Sequence, residues 1–136
     1  MSTFPLKIVT PDGLLFDGEA QRIVVRTTSG DMGVMAGHMN CVAPLGMGQA
    51  TIVTDGQRKY AAAIGGMLSV LDGKVTLVCT TFEWAEQIDV DRVLRSEKRA
   101  QKILSDKTSS DTDVRLAEAR LKRALIRKGV AGSKQM

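Results

Sequence analysis

Histidine, cysteine and aromatic residues are nearly missing from this chain of 136 residues: His38 stands alone, the cysteines are Cys41 and Cys79, and the aromatics are Phe4, Phe16, Tyr60, Phe82 and Trp84. With a single imidazole and no CxxC, no spacing resembles a zinc centre or a dithiol redox site. Cys41 and Cys79 therefore read as reduced, partly buried thiols. A general base needs a nucleophile and an orienting partner, and no acid or serine stands close to His38 in sequence, so a structural turn residue is the reading preferred to a hydrolase centred on it. Glu83 and Glu86 flank Trp84, but nothing else supports glycoside chemistry and they read as a solvated edge. No run approaches the ~18 apolar residues of a membrane span, and Met1-Ser2-Thr3-Phe4-Pro5 lacks a charged segment ahead of an apolar stretch. The expectation is a cytosolic chain, or one held at a membrane only through other proteins.

What is present changes character at Ile88. Residues 1–87 carry six Lys/Arg against eight Asp/Glu, and residues 88–136 carry thirteen against seven. The excess positive charge thus sits on the second part, which directs attention to an acidic partner surface, nucleic acid or phosphates. Residues 1–87 form one expected domain, large enough to bury its own core, and 88–136 a second, basic and mobile one.

The first part reads as short half-buried strands at Leu6 to Thr10, Ala20 to Thr28, Ala50 to Thr54, Lys59 to Ile64 and Lys74 to Thr80, all enriched in β-branched residues. Turn signals lie at Pro11-Asp12-Gly13, Asp17-Gly18, Ser29-Gly30-Asp31, Asp55-Gly56 and Asp72-Gly73, the last two being two-residue hairpins. Many short strands with such turns argue for a sandwich or flattened barrel. Gly65-Gly66 precedes a strand, not a helix, which rejects a phosphate loop and leaves a bulge or a close approach of two backbones.

From Asp89 the period becomes helical. Val90, Val93, Leu94, Ala100, Ile103 and Leu104 make an apolar stripe, and Arg92, Arg95, Arg99 and Lys102 recur along another face. A polar turn at Asp106 to Asp111 leads to a second helix expected from about Thr112 to Lys128 and ended by Gly129. Its seam is Val114, Ala117, Leu121, Ala124 and Leu125, with Arg120, Arg123 and Arg127 in a cationic row. Alanine-rich seams bury little area, so the helical pair is marginal without further support and suited to docking in one state and extending in another. The arginine rows admit three readings: a solvated face, a docking face for an acidic protein surface, or a phosphate or nucleic-acid site. Nucleic acid loses ground because no aromatic falls in the helices.

Gly30-Asp31-Met32-Gly33-Val34-Met35-Ala36-Gly37-His38, then Ile64-Gly65-Gly66-Met67-Leu68-Ser69-Val70, then Lys74-Val75-Thr76-Leu77-Val78, resemble in order, spacing and total length the epsilon subunit family of F-type ATP synthases. The resemblance covers nearly the whole chain. It implies a flattened β-sandwich of about ten strands followed by a C-terminal antiparallel two-helix hairpin. It implies a non-catalytic central-stalk subunit of a proton-translocating enzyme, peripheral on the cytoplasmic face of a bacterial plasma membrane. The sandwich would bind the gamma subunit and the c-ring, coupling ring rotation to the catalytic head. The hairpin, when extended, would meet the alpha and beta subunits and restrain ATP hydrolysis. The alternative from another class is a nucleic-acid-binding sandwich with a basic hairpin.

No cofactor is implied as a requirement, and no metal; regulatory ATP is. Some members hold ATP in the folded hairpin through a pattern that Glu83, Ile88, Asp89, Arg92, Arg99, Arg123 and Arg127 match, with arginines on the phosphates. Val93 replaces the pattern's alanine and Leu116 an additional arginine; losing one phosphate contact weakens binding by ~1.5 to 3 kcal/mol. Asp31 and His38 are the implied contacts with c-ring or gamma, and Arg95, Lys102, Arg120 and Lys122 those with beta. The loop departs from the family's pattern, with Ala36 for the usual proline and Met39 to Val42 ahead of Ala43-Pro44-Leu45.

Overall fold

Alternating burial and four two-residue turns organise the first part of the chain. The computed structural model describes residues 2–133, and its contacts divide the chain into one unit up to Trp84 and another from Ala85. The first unit consists of β1 (Phe4–Thr10), β2 (Gly13–Ala20), β3 (Arg22–Thr27), β4 (Gly30–Met35), β5 (Cys41–Pro44), β6 (Met47–Thr54), β7 (Gln57–Leu71) and β8 (Lys74–Trp84). They share hydrogen bonds in the order β2-β1-β8-β7-β6-β3-β4, with β5 also paired to β7. All these pairs are antiparallel except β1 with β8, a parallel pairing of Leu6–Val9 with Val75–Val78.

The hairpins at Asp55-Gly56 and Asp72-Gly73 form as the dipeptides predict. Both residues of each turn are left-handed, at φ 52° and 74° and at φ 50° and 81°, the combination that matches the twist of the flanking strands. The register they set is unbroken along β7 and β8, from Leu71 opposite Lys74 to Ala61 opposite Trp84. Leu6, Ile8, Ile23, Ile52, Leu68 and Leu77 point inward and are fully buried, each contributing ~1.5 to 3 kcal/mol. Phe82 and Phe16 pack edge-on against Trp84, with ring centroids 5.0 and 6.3 Å away.

The strand count is eight, not ten. β7 runs through Gly65-Gly66 keeping its register with β8, only Gly65 dropping out of the ladder, yet changes its other partner there: Gln57–Ile64 pairs with β6 and Met67–Val70 with β5. A bend that keeps its register makes one long strand where two were expected. The expected close approach is at Gly66, where a Cβ would overlap the Val78 carbonyl. Asp17-Gly18 is not a turn: both lie within β2, opposite Lys7 and Leu6, because pairing with β1 overrides local propensity. The β3–β4 turn is Thr28-Ser29, one residue earlier than its glycine suggested, since Gly30 already pairs with Thr27.

The second unit is a 3-10 turn (Ala85–Gln87), α1 (Val90–Ser105) and α2 (Asp111–Ser133). Asp89 caps α1 by accepting the Arg92 backbone N–H at 3.1 Å. Ser110 does the same for α2 through the Asp113 N–H at 3.1 Å. Between the helices Asp106 accepts from the Thr108 N–H at 2.9 Å and its hydroxyl at 2.7 Å, bonds that hold its carboxyl below the usual carboxylate range. α2 does not end at Gly129. Burial of Val130 and Ala131 outweighs the ~1 kcal/mol that a helical glycine costs. The seam differs too: Val93, Ala100, Ala117 and Ala124 are buried, whereas Val90, Leu94 and Leu125 stay at least a third exposed. Buried alanines set a close helix approach, and a close approach leaves the longer side chains at its margins.

Candidate functional sites

α1 carries Arg92, Arg95 and Arg99 at i, i+3 and i+7, and α2 carries Arg120, Arg123 and Arg127 at the same spacing. Each trio therefore lies on one face of its helix. The hairpin turns both faces toward a common cavity of about 470 Å³, lined by these six arginines and Ser96. Ligand cavities span roughly 300–1,000 Å³, so the space admits a molecule of nucleotide size.

The electrostatics define the kind of molecule. Neighbours ~6 Å apart on a helix repel by ~0.7 kcal/mol in water and about four times that at an effective dielectric of 20. Among the described residues, the lining brings six guanidiniums together and includes no carboxylate side chain. Glu97, the half-buried acid beside Ser96, is engaged by the Lys128 ammonium at 3.3 Å. An anion entering the cavity relieves the repulsion, and because guanidiniums from both helices converge, it also ties α1 to α2.

The residues expected from the sequence are distributed as follows. Arg92, Arg99, Arg123 and Arg127 line one cavity. Arg95 and Arg120, grouped apart as beta-subunit contacts, line it as well. Lys102 and Lys122 are exposed and outside the lining. Asp89 is the α1 cap, Ile88 is buried, and Glu83 lies on β8 in the first unit. Leu116, where an extra arginine would serve, is 56% exposed one turn before Arg120. Asp31 accepts from the Arg26 guanidinium at 2.7 Å. His38 lies beyond the opposite end of β4, its Nδ1 2.8 Å from the Met39 carbonyl oxygen and 4.0 Å from the Cys41 sulfur. The fold therefore separates Asp31 from His38 by the length of a strand.

A second feature escaped the sequence. On the outer face of the sandwich Leu14 lies opposite Val9, Val9 beside Val78, Val78 opposite Met67, and Met67 opposite Pro44. Five strands thus present an apolar row at one level, ~19 Å long at ~4.8 Å per strand, with Leu14 56%, Val78 49% and Met67 41% exposed. Contiguous exposed apolar surface of this kind marks an interaction face. The Asp72-Gly73 hairpin predicts the Val78–Met67 pair, but the parallel β1–β8 pairing that extends the row leaves no local signal.

Comparison with known proteins agrees along the length of the chain. Residues 3–85 match the family model "ATP synthase, Delta/Epsilon chain, beta-sandwich domain" and residues 86–132 match "ATP synthase, Delta/Epsilon chain, long alpha-helix domain". The ATP synthase epsilon chain of Bacillus velezensis is 44% identical over 98% of this chain and 100% of its own length. That of Bacillus subtilis is 42% identical over 97% and 99%. A chain of the Euglena gracilis mitochondrial ATP synthase structure (OSCP/F1/c-ring) shares the fold, with a TM-score of 0.83 at 22% identity over 95% of this chain and 81% of that one. A chain of the Tetrahymena thermophila central stalk/c-ring structure superposes with a TM-score of 0.59 at 15% identity over 93% and 95%. None of these matches supports a nucleic-acid-binding protein. From its sandwich to its helical hairpin, the chain belongs to the delta/epsilon family of ATP synthase subunits, as an epsilon-type chain that is an accessory to the enzyme rather than its catalyst.

Proposed function

We propose that this chain is a rotor-stalk subunit of a proton-translocating F-type ATP synthase, with docking assigned to the sandwich and regulation to the hairpin. The cavity built by arginines from both helices is the observation that carries the regulatory half. With the helices together, the guanidiniums converge and hold regulatory ATP by its phosphates. With the helices apart, the same residues form two separate cationic rows that fit an acidic surface of the alpha and beta subunits, and ATP hydrolysis is restrained. One set of charges cannot serve both, so ligand and catalytic head compete. A ligand at a hundred times its Kd favours the closed hairpin by ~2.7 kcal/mol, enough to shift a marginal helical pair about a hundredfold.

The apolar row supports assigning gamma to the sandwich, because an elongated uncharged strip suits a rigid protein neighbour. Asp31 and His38 are the polar residues proposed to meet the c-ring. No helix among the described residues is long and apolar enough to cross a membrane, and the relatives cited above from Bacillus are bacterial. The proposed location is thus the cytoplasmic face of a bacterial plasma membrane, with association through partner subunits. Pull-down of the gamma subunit tests the division of labour. The full chain and residues 1–87 are expected to retain gamma equally, and loss of retention on removing the hairpin would contradict it.

A further inference from the structure

Where β4 ends and β5 begins, Met35, His38, Met39 and Cys41 place four sulfur or imidazole side chains within seven residues. The chain closes on itself there. The His38 backbone N–H donates to the Met35 carbonyl at 3.2 Å, and Gly37, at φ 85°, takes the left-handed position of the turn. Met35 and His38 therefore stand at the two corners of a β-turn, with Cα atoms less than ~7 Å apart. On the other side, His38 Nδ1 lies 4.0 Å from Cys41 Sγ. Both side chains are half-buried, so they are fixed against the sandwich yet open to a small ion. Met35 is 61% exposed, and its unbranched thioether can swing toward them.

Donor type and spacing select the ion. Thiolate, thioether and imidazole are soft or intermediate ligands, the set that favours Cu(I) over hard cations. Among the described residues no three His, Cys, Asp or Glu side chains come together, which leaves out the four-ligand shell of structural zinc. With bonds of ~2.3 Å to sulfur and ~2.0 Å to nitrogen, two ligands of one ion stand ~3.5 Å apart at a tetrahedral angle, ~3.7 Å at a trigonal one and ~4.3 Å in line. The observed 4.0 Å lies between trigonal and linear, the arrangements of a cuprous ion with few ligands. We infer that Cys41 Sγ and His38 Nδ1, joined by the Met35 thioether, bind one Cu(I) ion at this end of the sandwich. Without metal, Nδ1 carries a proton and donates it to the Met39 carbonyl at 2.8 Å. When copper binds, that proton moves to Nε2, the thiol proton leaves to solvent, and the copper stays cuprous. The ion ties β4 to β5, which pair with β3 and β7 and share no ladder of their own. The site is independent of whether His38 also meets a partner subunit.

The experiment is anaerobic titration of the full chain with ascorbate-reduced copper against the chromophoric Cu(I) chelator bicinchoninate. The expected result is one copper per monomeric chain, with sulfur and nitrogen neighbours in the X-ray absorption spectrum. Cys41→Ser is expected to weaken binding about a hundredfold, and His38→Gln and Met35→Leu at least about tenfold each, the scale seen when a metal site loses a supporting group. Cys79→Ala is expected to change nothing, because that thiol is 1% exposed on β8. Met35 is exposed and His38 half-buried on the loop, so these two substitutions leave the sandwich folded even if Cys41→Ser disturbs it, and circular dichroism checks all four. Copper retained equally by His38→Gln or by a folded Cys41→Ser would overturn the assignment. Half a copper per chain in a dimer would also overturn it, by showing a bridge between two chains in place of a site within one. Zinc(II) binding as tightly as copper would overturn the choice of ion, and failure to take copper from bicinchoninate would overturn the site.

Discussion

Replacing Gly66 by alanine measures how much the fold depends on one backbone crossing. Gly66 has φ +117°, a region that costs an L-residue ~1 to 3 kcal/mol. A methyl there would also overlap the Val78 carbonyl and come 2.9 Å from the Cys79 Cα. Neither obstacle is a side chain that can rotate away, so relief requires β7 and β8 to part at the Gly66–Cys79 pair. That separation weakens ladder hydrogen bonds worth ~1 kcal/mol each and the 2.9 Å bond from the Leu45 N–H to the Gly66 carbonyl. The expected total is ~3 to 5 kcal/mol, against the 5 to 15 kcal/mol typical of a whole domain. Gly13 supplies the control: its φ is +123°, but a Cβ there would meet nothing within 4 Å, so Gly13→Ala carries the backbone cost alone. Urea unfolding followed by Trp84 fluorescence compares the two at equal m-value. Gly66→Ala is expected to be worse than Gly13→Ala by about 2 kcal/mol or more; a difference under about 1 kcal/mol would refute the steric account.

Cys79, 1% exposed, has its thiol pushed up to about 11 by burial. A disulfide reagent should therefore label half-buried Cys41 in the native chain and Cys79 only after unfolding. Because the folded pKa of Cys79 lies above the unfolded one, its contribution to stability is intact below pH ~9 and is lost as pH rises toward 11, by on the order of 2 to 3 kcal/mol. Alkaline unfolding of Cys79→Ala should lack that loss. Val78→Asp, at a half-exposed position on the apolar row, should change stability by no more than ~0.5 kcal/mol yet reduce gamma retention in pull-down at least about tenfold, since a carboxylate would be desolvated in the contact. Asp89→Ala should lower the helical melting of the second unit by about 1 kcal/mol through loss of the α1 cap, as read by circular dichroism.

Features carried by local chemistry were legible in the sequence. Asp55-Gly56 and Asp72-Gly73 demand left-handed backbone and give it, and the helical start after Asp89 and the arginine spacing are readable by period alone. Strands set by pairing were not: β2 contains a dipeptide that reads as a turn, and it forms because β1, one tight turn away, offers an edge to pair with. One of the two missing strands has a related reason, since Gly65-Gly66 bends a strand without ending it. α2 outran its glycine because Val130 and Ala131 gain burial that a local rule does not count. In the candidate site both arginine rows were visible, but their meeting in one cavity depends on the angle at which two helices close on buried alanines. Arg95 and Arg120 were grouped apart from Arg92, Arg99, Arg123 and Arg127 because only the latter four match the phosphate-binding pattern of the resembling family.

The most direct test of the regulatory account is ATP hydrolysis by a cognate alpha-beta-gamma complex, assayed without this chain, with the full chain, and with residues 1–87. The account predicts that the full chain suppresses turnover, that residues 1–87 bind without suppressing it, and that replacing the six cavity arginines by glutamine abolishes suppression while gamma binding persists. Equal turnover with the full chain and with residues 1–87, both bound, would contradict it.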